Sequence, residues 1–322
     1  HKSYKRVLQK EHTLLRHPFS THFQERMIEM KVKLRKELPY LLFILPAFIV
    51  YTILTVIPLV QTLGLSFTNW DGYSMSHLSF TGLKNFRLVF ADRSMKTALL
   101  NTCFYSIVFP LVTTVFAIPL SLVLNSGMKT KNLQRAVFFF PSVPSAIILG
   151  YLWAYILSPT GNGLLNKLLG LFGIHPVMWL AVPKWAMFSV LLVNLWSVVG
   201  WHACIYLAQL QSIPTEYYEA ANVDGATAWQ KFRYITFPML ASAMTVSVML
   251  LLLNSMKLYD LPFALTSEGP GTSTTLVSQI IIKTGFVEKS YGKATAMSAI
   301  FFVFIAVISV IQLKLMKKRE VE

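Results

Sequence analysis

Two groups of residues in this 322-residue chain have types and spacings that could do chemistry. The first lies inside long apolar runs. Asn194, Val198 and Trp201 fall at i, i+4 and i+7, which is one face of a helix. Ser255, Leu258 and Tyr259 lie together beside Asn254, and Ser145 follows the Val-Pro pair at 143–144. Asn and Ser offer hydrogen bonds to hydroxyls, while Trp and Tyr offer flat faces to ring C–H groups; a sugar needs both. The same residues have a structural reading, since Asn or Ser in a span bonds a neighbouring helix and Trp anchors at an interface. His202 reads as a packing or interhelical contact. The second group lies in the polar stretch Ile213–Leu240, around Glu219, Ala220, Ala221, Asp224, Gly225, Ile235 and Pro238. It has no nucleophile, base or metal-ligand pattern, so its chemistry would be that of a docking surface.

The apolar runs decide what positions these residues. Apolar residues make up 54% of the chain and charged ones 13%, about half the charged share of a soluble domain. The excess apolar surface points to lipid. Six runs are long enough for a hydrocarbon core: roughly 40–63, 98–124, 136–157, 185–207, 239–257 and 294–315. Pro141 and Pro144 predict a kink in the third, with carbonyls freed toward a cavity. Six spans put both chain ends on one side. With the ends in the cytoplasm, the cytoplasmic segments hold 19 Lys/Arg and the outer ones 10, the expected bias. Lys257 and Asp260 read as membrane-edge residues, either snorkelling or paired with each other.

Residues 1–37 form a basic segment before the first span, and residues 38–322 form the membrane domain. From Thr21, the residues Phe23, Met27, Met30 and Leu34 recur at helical spacing, with Gln24 completing a capping box. Arg26, Lys33, Arg35 and Lys36 suit anionic headgroups, so this helix either lies on the inner membrane surface or is a solvated tail that orders on the bundle. The first apolar run is too long and starts too late for a cleavable signal peptide. The net charge of +15 gathers near the two ends, which argues against nucleic acid as a partner. Cys103 and Cys204 sit in apolar runs, and neither a disulfide framework nor a zinc site is expected.

The polar stretch reads IPTEYYEAANVDGATAWQKFRYITFPML and predicts a helix–turn–helix, broken at Gly225, with the second helix stopped before Pro238. It resembles the E-A-A, three residues, G, nine residues, I-x-L-P motif of binding-protein-dependent ABC importer permeases; Phe237 stands where the family has Leu. The resemblance implies an all-α, six-span type I permease fold in which the loop 211–238 forms a coupling helix docked on an ATPase subunit. The stretches IPLVQTLGLSFTNWDG, FTGLKNF and LYDLPFALTSEGPG are similar to the carbohydrate-importer branch, the maltose-permease-like proteins, in their compact six-span form. That form includes importers of complex polysaccharides and of acidic ones such as alginate. In that branch the positions that touch sugar match Ser145, Asn194, Val198, Trp201, Ser255 and Leu258; Leu258 departs from the polar residue expected there.

The resemblance further implies a second homologous permease, two ATP-binding-cassette ATPase subunits and an extracytoplasmic solute-binding protein as partners, in the bacterial inner membrane. No G-x-x-x-x-G-K-[ST] loop occurs, so ATP and Mg would be held by the partners, and no cofactor or catalytic residue is expected in this chain. The same architecture could carry glycerol phosphate or another small solute. An ion-coupled carrier would favour buried carboxylates, and the fourth and fifth spans contain no Asp or Glu.

Overall fold

A computed structural model describes residues 37, 39–40, 42–74, 78–126, 129–160 and 163–317. The amphipathic helix expected from Thr21 lies outside the described residues. The chain divides into two compact units between Gln61 and Thr62. Helix α1, Leu42–Leu65, holds most of the described residues of the first unit and runs four residues past its boundary. Its 24 residues rise about 36 Å at 1.5 Å each, enough to cross a bilayer. A π-helical turn at Thr52–Val56 interrupts it.

The second unit is helical throughout its described residues, apart from a lone antiparallel bridge between Thr68 and Phe80. After the short α2 (Lys84–Ala91) come the long α3 (Arg93–Asn125), α4 (Lys131–Ser142) and α5 (Ala146–Ile156). Helix α6 is Leu164–Leu171 and α7 is Pro183–Ser212. Helices α8 (Thr215–Val223) and α9 (Ala228–Met239) form the polar stretch, and α10 (Ala241–Met256) follows. The chain closes with α11 (Asp260–Thr266), α12 (Val277–Val287) and α13 (Tyr291–Lys317).

Four helices, α1, α3, α7 and α13, are long and apolar enough to cross a membrane singly. The other two expected spans are bent pairs. Helices α4 and α5 meet at 92°, and α9 and α10 at 65°. The first bend follows from Pro141 and Pro144, which deny the backbone two hydrogen-bond donors within four residues. The second differs from the sequence expectation. Pro238 does not stop the second helix; the helix runs through a π-helical stretch, Phe232–Thr236, and on to Met239, and the direction changes at Leu240.

Helix α3 packs along α7 and α10, α5 along α11, and α13 along α10 and α2. Buried apolar residues form three clusters. One centres on Tyr105, Phe109, Val193 and Leu261, a second on Ala117, Tyr206, Leu210 and Leu240, and a third on Met95, Met256, Val277 and Met297. Between apolar helices in lipid, close packing replaces the hydrophobic drive, so small residues mark the tightest crossings. A Cβ on Gly200 would lie 1.9 Å from the Phe138 carbonyl oxygen, and one on Gly150 would lie 2.5 Å from the Ala264 Cβ.

Polar ties join α3 to the last third of the chain. Asn101 Nδ2 donates to the carbonyls of Thr272 and Thr275 at 3.2 and 3.0 Å, and the Val277 amide donates to Thr102 Oγ1 at 3.0 Å. Asp92 caps α3, accepting from the Ser94 and Met95 amides, and accepts from Lys293 Nζ at 2.6 Å. Burial alone would raise the Asp92 carboxyl, but the Lys293 bond and the two amide bonds outweigh it and hold its pKa below 3.8. A depressed carboxylate stabilises the fold above its unfolded pKa, and that contribution is lost as the pH falls through the folded value. The melting temperature of the purified protein should fall between about pH 5 and about pH 3, and Asp92→Asn should flatten that part of the profile. Parallel profiles for the two proteins would remove Asp92 from the acid response.

Candidate functional site

The sequence-predicted residues within the spans fall on α5, α7, α10 and the turn after α10. Asn194 is half-buried on α7, and its Nδ2 donates to the hydroxyl of Tyr105 on α3 at 2.6 Å. Tyr105 is fully buried, with its ring stacked on Phe109 at 5.2 Å. The Ser197 hydroxyl donates to the Asn194 carbonyl at 2.8 Å. Val198 on α7 and Leu258 after α10 are partly buried against the same apolar cluster. The structure therefore brings Asn194, Val198 and Leu258 around one core, with Tyr105 as an added member. A tyrosine within an apolar run signals that its hydroxyl needs a partner, but sequence spacing does not say that the partner is 89 residues away.

The remaining members differ in accessibility. Trp201 is 38% exposed and meets His202 edge-on at 4.8 Å. His202 is buried, with Nδ1 2.8 Å from Ser247 Oγ, which makes it an interhelical contact between α7 and α10. Asn254 is exposed, and Tyr259 is stacked on Phe263 at 5.2 Å. Ser145 is exposed and caps α5, accepting from the Ile148 amide at 3.4 Å. Ser255 is 1% exposed and donates to the Leu252 carbonyl at 2.8 Å, so in this conformation its hydroxyl serves the helix. Lys257 and Asp260 form no ion pair with each other; among the described residues the ion pairs are Lys283–Glu268 and Lys293–Asp92.

The polar stretch builds a second surface. Helix α8 ends where Gly225 takes a φ of 73°, a conformation that suits glycine. There the Ala226 amide donates to the Ala221 carbonyl at 2.9 Å and the Gly225 amide to the Asn222 carbonyl at 3.1 Å, satisfying the last carbonyls of the helix. Thr227 and Gln230 then cap the start of α9 reciprocally. Glu219, Ala220, Asp224 and Gly225 are exposed, and so are the apolar side chains of Tyr217, Val223, Trp229 and Tyr234. An open pocket of about 290 Å³ is lined by Ala221, Asp224, Gly225, Lys231, Tyr234 and Ile235, among others.

This surface is tied firmly to the helices that carry the first group of residues. Tyr218 Oη lies 2.9 Å from Thr236 Oγ1, and Gln209 Nε2 on α7 donates to the Met239 carbonyl at 3.1 Å. Lys231 Nζ donates to Asn222 Oδ1 at 2.8 Å, and Tyr218 and Phe232 pack on the cluster formed by Leu207, Leu210 and Leu240. Such an arrangement holds no reacting group. It offers a rigid, partly apolar projection with Glu219 free of any partner among the described residues, the features of a surface that meets another protein.

Residues 38–320 match the family described as the binding-protein-dependent transport system inner membrane component. The probable starch degradation products transport system permease protein AmyD of Thermoanaerobacterium thermosulfurigenes is 33% identical over 88% of this chain and 95% of its own length. The trehalose/maltose transport system permease protein MalF of Thermococcus litoralis is 29% identical over the same shares. Among solved structures, a chain of a bacterial ABC transporter involved in import of the acidic polysaccharide alginate matches at a TM-score of 0.78 and 24% identity. That match covers 90% of this chain and 99% of the other, and it shows a shared fold.

Proposed function

The chain belongs to the inner membrane components of binding-protein-dependent transport systems, and from that premise we propose that it is the permease subunit of an ATP-driven carbohydrate importer. One observation carries the coupling part of this reading. The E-A-A and Gly225 motif sits on an exposed helix pair locked by Gln209, Tyr218 and Leu240 to α7 and α10, the helices that bear Asn194, Trp201 and Asn254. The names of the relatives, for starch degradation products and for trehalose/maltose, support the carbohydrate.

In this proposal, residues 1–37 and both chain ends are cytoplasmic, and residues 38–322 form the translocation domain. A second homologous permease completes the pathway, and two ATPase subunits hold ATP and Mg. A solute-binding protein delivers substrate from outside. Glu219, Ala220, Ala221, Asp224, Gly225, Ile235 and Pro238 form or shape the ATPase contact. ATP-driven closure of the ATPases draws the two α8–α9 projections together, and the rigid ties pass that displacement to α7 and α10. Asn194, Trp201, Asn254, Tyr259 and Ser145 supply the polar and aromatic contacts along the pathway. Val198 and Leu258 shape its wall, and Ser255 holds the α10 end.

Uptake by the full complex in proteoliposomes, with its binding protein, tests the function. Labelled gluco- or alginate oligosaccharides should accumulate with ATP hydrolysis; accumulation of glycerol phosphate alone would assign a small-solute importer instead. In the same assay Trp201→Ala should cut substrate-stimulated uptake several-fold while the ATPases still co-purify. Wild-type uptake would make Trp201 a packing residue. The orientation has its own check: in a chain freed of Cys103 and Cys204, a membrane-impermeant maleimide should label Glu268→Cys from outside in intact cells. Labelling of Asn222→Cys from outside would invert the proposed topology.

A further inference from the structure

A lysine next to an apolar membrane helix is rare, and it asks for a partner. Lys257 directly follows α10 and is exposed. Its ammonium has no ion-pair or hydrogen-bond partner among the described residues. It lines an open groove of about 490 Å³ between α10, α12 and α13. That size falls within the range of about 300–1,000 Å³ usual for ligand sites. The walls are apolar, with Ile281 and Ile282 on α12 and Phe301, Phe302 and Ile305 on α13. The Ser298 hydroxyl in the wall already donates to the Ala294 carbonyl at 2.9 Å. Asp260, the carboxylate closest in sequence to Lys257, opens α11 and does not line the groove.

The depth of the groove follows from its neighbours. Met256, the residue before Lys257, shares the third cluster with Met95 and Ala98. Ala98 begins the apolar run of α3, so Lys257 stands at an edge of the hydrocarbon core. Because α10 starts beside α9, this is the edge away from the α8–α9 projection. From Ser298 to Ala306 the groove wall on α13 rises about 12 Å. One leaflet of a hydrocarbon core is about 15 Å deep. The groove is therefore about one leaflet deep, with a cation at headgroup level.

Charge decides between occupants. Helix α1, from this chain or a second copy, has no Asp or Glu between Leu42 and Leu65. Laid over the groove, it would cover the ammonium without a countercharge, which is costly. A phospholipid supplies both halves of the match: an acyl chain for the apolar walls and a phosphate, which lysine binds as a point charge. A lysine stem on apolar surface with its head turned to the interface is the geometry that such a contact needs.

We propose that the groove between α10, α12 and α13 binds an anionic phospholipid of the leaflet farther from the α8–α9 projection, with an acyl chain along α13 and the headgroup phosphate on Lys257. The lipid braces the end of α10, beside Asn254, against α13. Its binding is read without uptake, so its failure would leave the importer reading standing.

Photolabelling of the full complex in vesicles tests it. The vesicles are phosphatidylcholine with a minority of phosphatidylglycerol. A trace of one lipid or the other carries a diazirine on an acyl chain, and labelled peptides are read by mass spectrometry. The phosphatidylglycerol probe should label residues 281–282 and 301–305 several-fold more than the phosphatidylcholine probe does. Lys257→Gln should erase that preference and Lys257→Arg should keep it. Equal labelling by the two probes in the wild-type protein would overturn the proposal. So would silence of both segments with both probes, the result expected if another helix covers the groove, or an undiminished preference in an assembled Lys257→Gln complex. The wild-type comparison requires no variant to fold.

Discussion

Glu219→Lys and Gly225→Val should each leave a permease that inserts and purifies normally but no longer couples ATP hydrolysis to uptake. Neither position lies in a long apolar helix, and both are exposed, so the bundle has no reason to respond. Gly225 has open space around the position a Cβ would take, so the effect of valine is conformational and not steric crowding. At a φ of 73° an L side chain costs about 1–2 kcal/mol, and a β-branched one stands at the unfavourable end of that range. The turn would relieve this by abandoning the Ala226–Ala221 bond, which re-aims α9 and the exposed Trp229 and Tyr234. Glu219→Lys acts by charge, since the carboxylate has no partner among the described residues and reversal would present a cation to whatever meets it. The ATPase should fail to co-purify with either variant, or should hydrolyse ATP without uptake. Retained co-purification and wild-type uptake in both variants would remove this surface from the coupling path. Gly225→Asn, which tolerates the left-handed region, should retain more coupling than Gly225→Val.

The second large effect belongs to Gly200. A methyl group there would sit 1.9 Å from the Phe138 oxygen, 2.4 Å from its carbonyl carbon and 3.1 Å from the Phe139 nitrogen. All three are backbone atoms, and no rotamer change moves them. Gly200→Ala would have to separate α7 from the end of α4 and disturb the second apolar cluster, where overpacking costs about 1–3 kcal/mol and more when backbone must shift. The folded yield and melting temperature should drop sharply, and uptake with them. Gly170→Ala is the matched control: it is also a helical glycine, it has nothing within 4 Å, and it should be neutral or slightly stabilising. A melting temperature for Gly200→Ala equal to that of Gly170→Ala would mean that the α4–α7 contact is looser than drawn here.

The six-span plan was readable because lipid demands about 20 apolar residues at a stretch, and that demand is written in composition alone. The helix–turn–helix of the polar stretch was readable for a different reason: the Gly225 turn is a local event, closed by residues within four positions of it. What did not show was set by distance. The partnership of Asn194 with Tyr105, 89 positions away, depends on how helices are rotated, which a run of apolar residues does not specify. Pro238 was misplaced because a π-helical stretch, Phe232–Thr236, carries the helix on through Pro238 to Met239, and the bend comes only at Leu240. Helices α11 and α12 are too short and too interrupted to stand out as spans, yet their packing on α5 and α13 fixes the first and third cores.

The bonds that tie α3 to the C-terminal third set a timetable for synthesis. Asp92 waits for a lysine 201 positions downstream, Asn101 for carbonyls 171 and 174 downstream, and Thr102 for an amide 175 downstream. At ribosomal speeds of about 5–20 residues per second, α3 spends roughly 10–40 s with its polar groups unanswered before α13 emerges. During that interval the nascent chain displays a carboxylate and an amide that the finished protein hides. A polypeptide released before Thr272 would display both permanently, and one lacking only α13 would still display the Asp92 carboxylate, a group by which membrane quality control could distinguish it from the completed subunit.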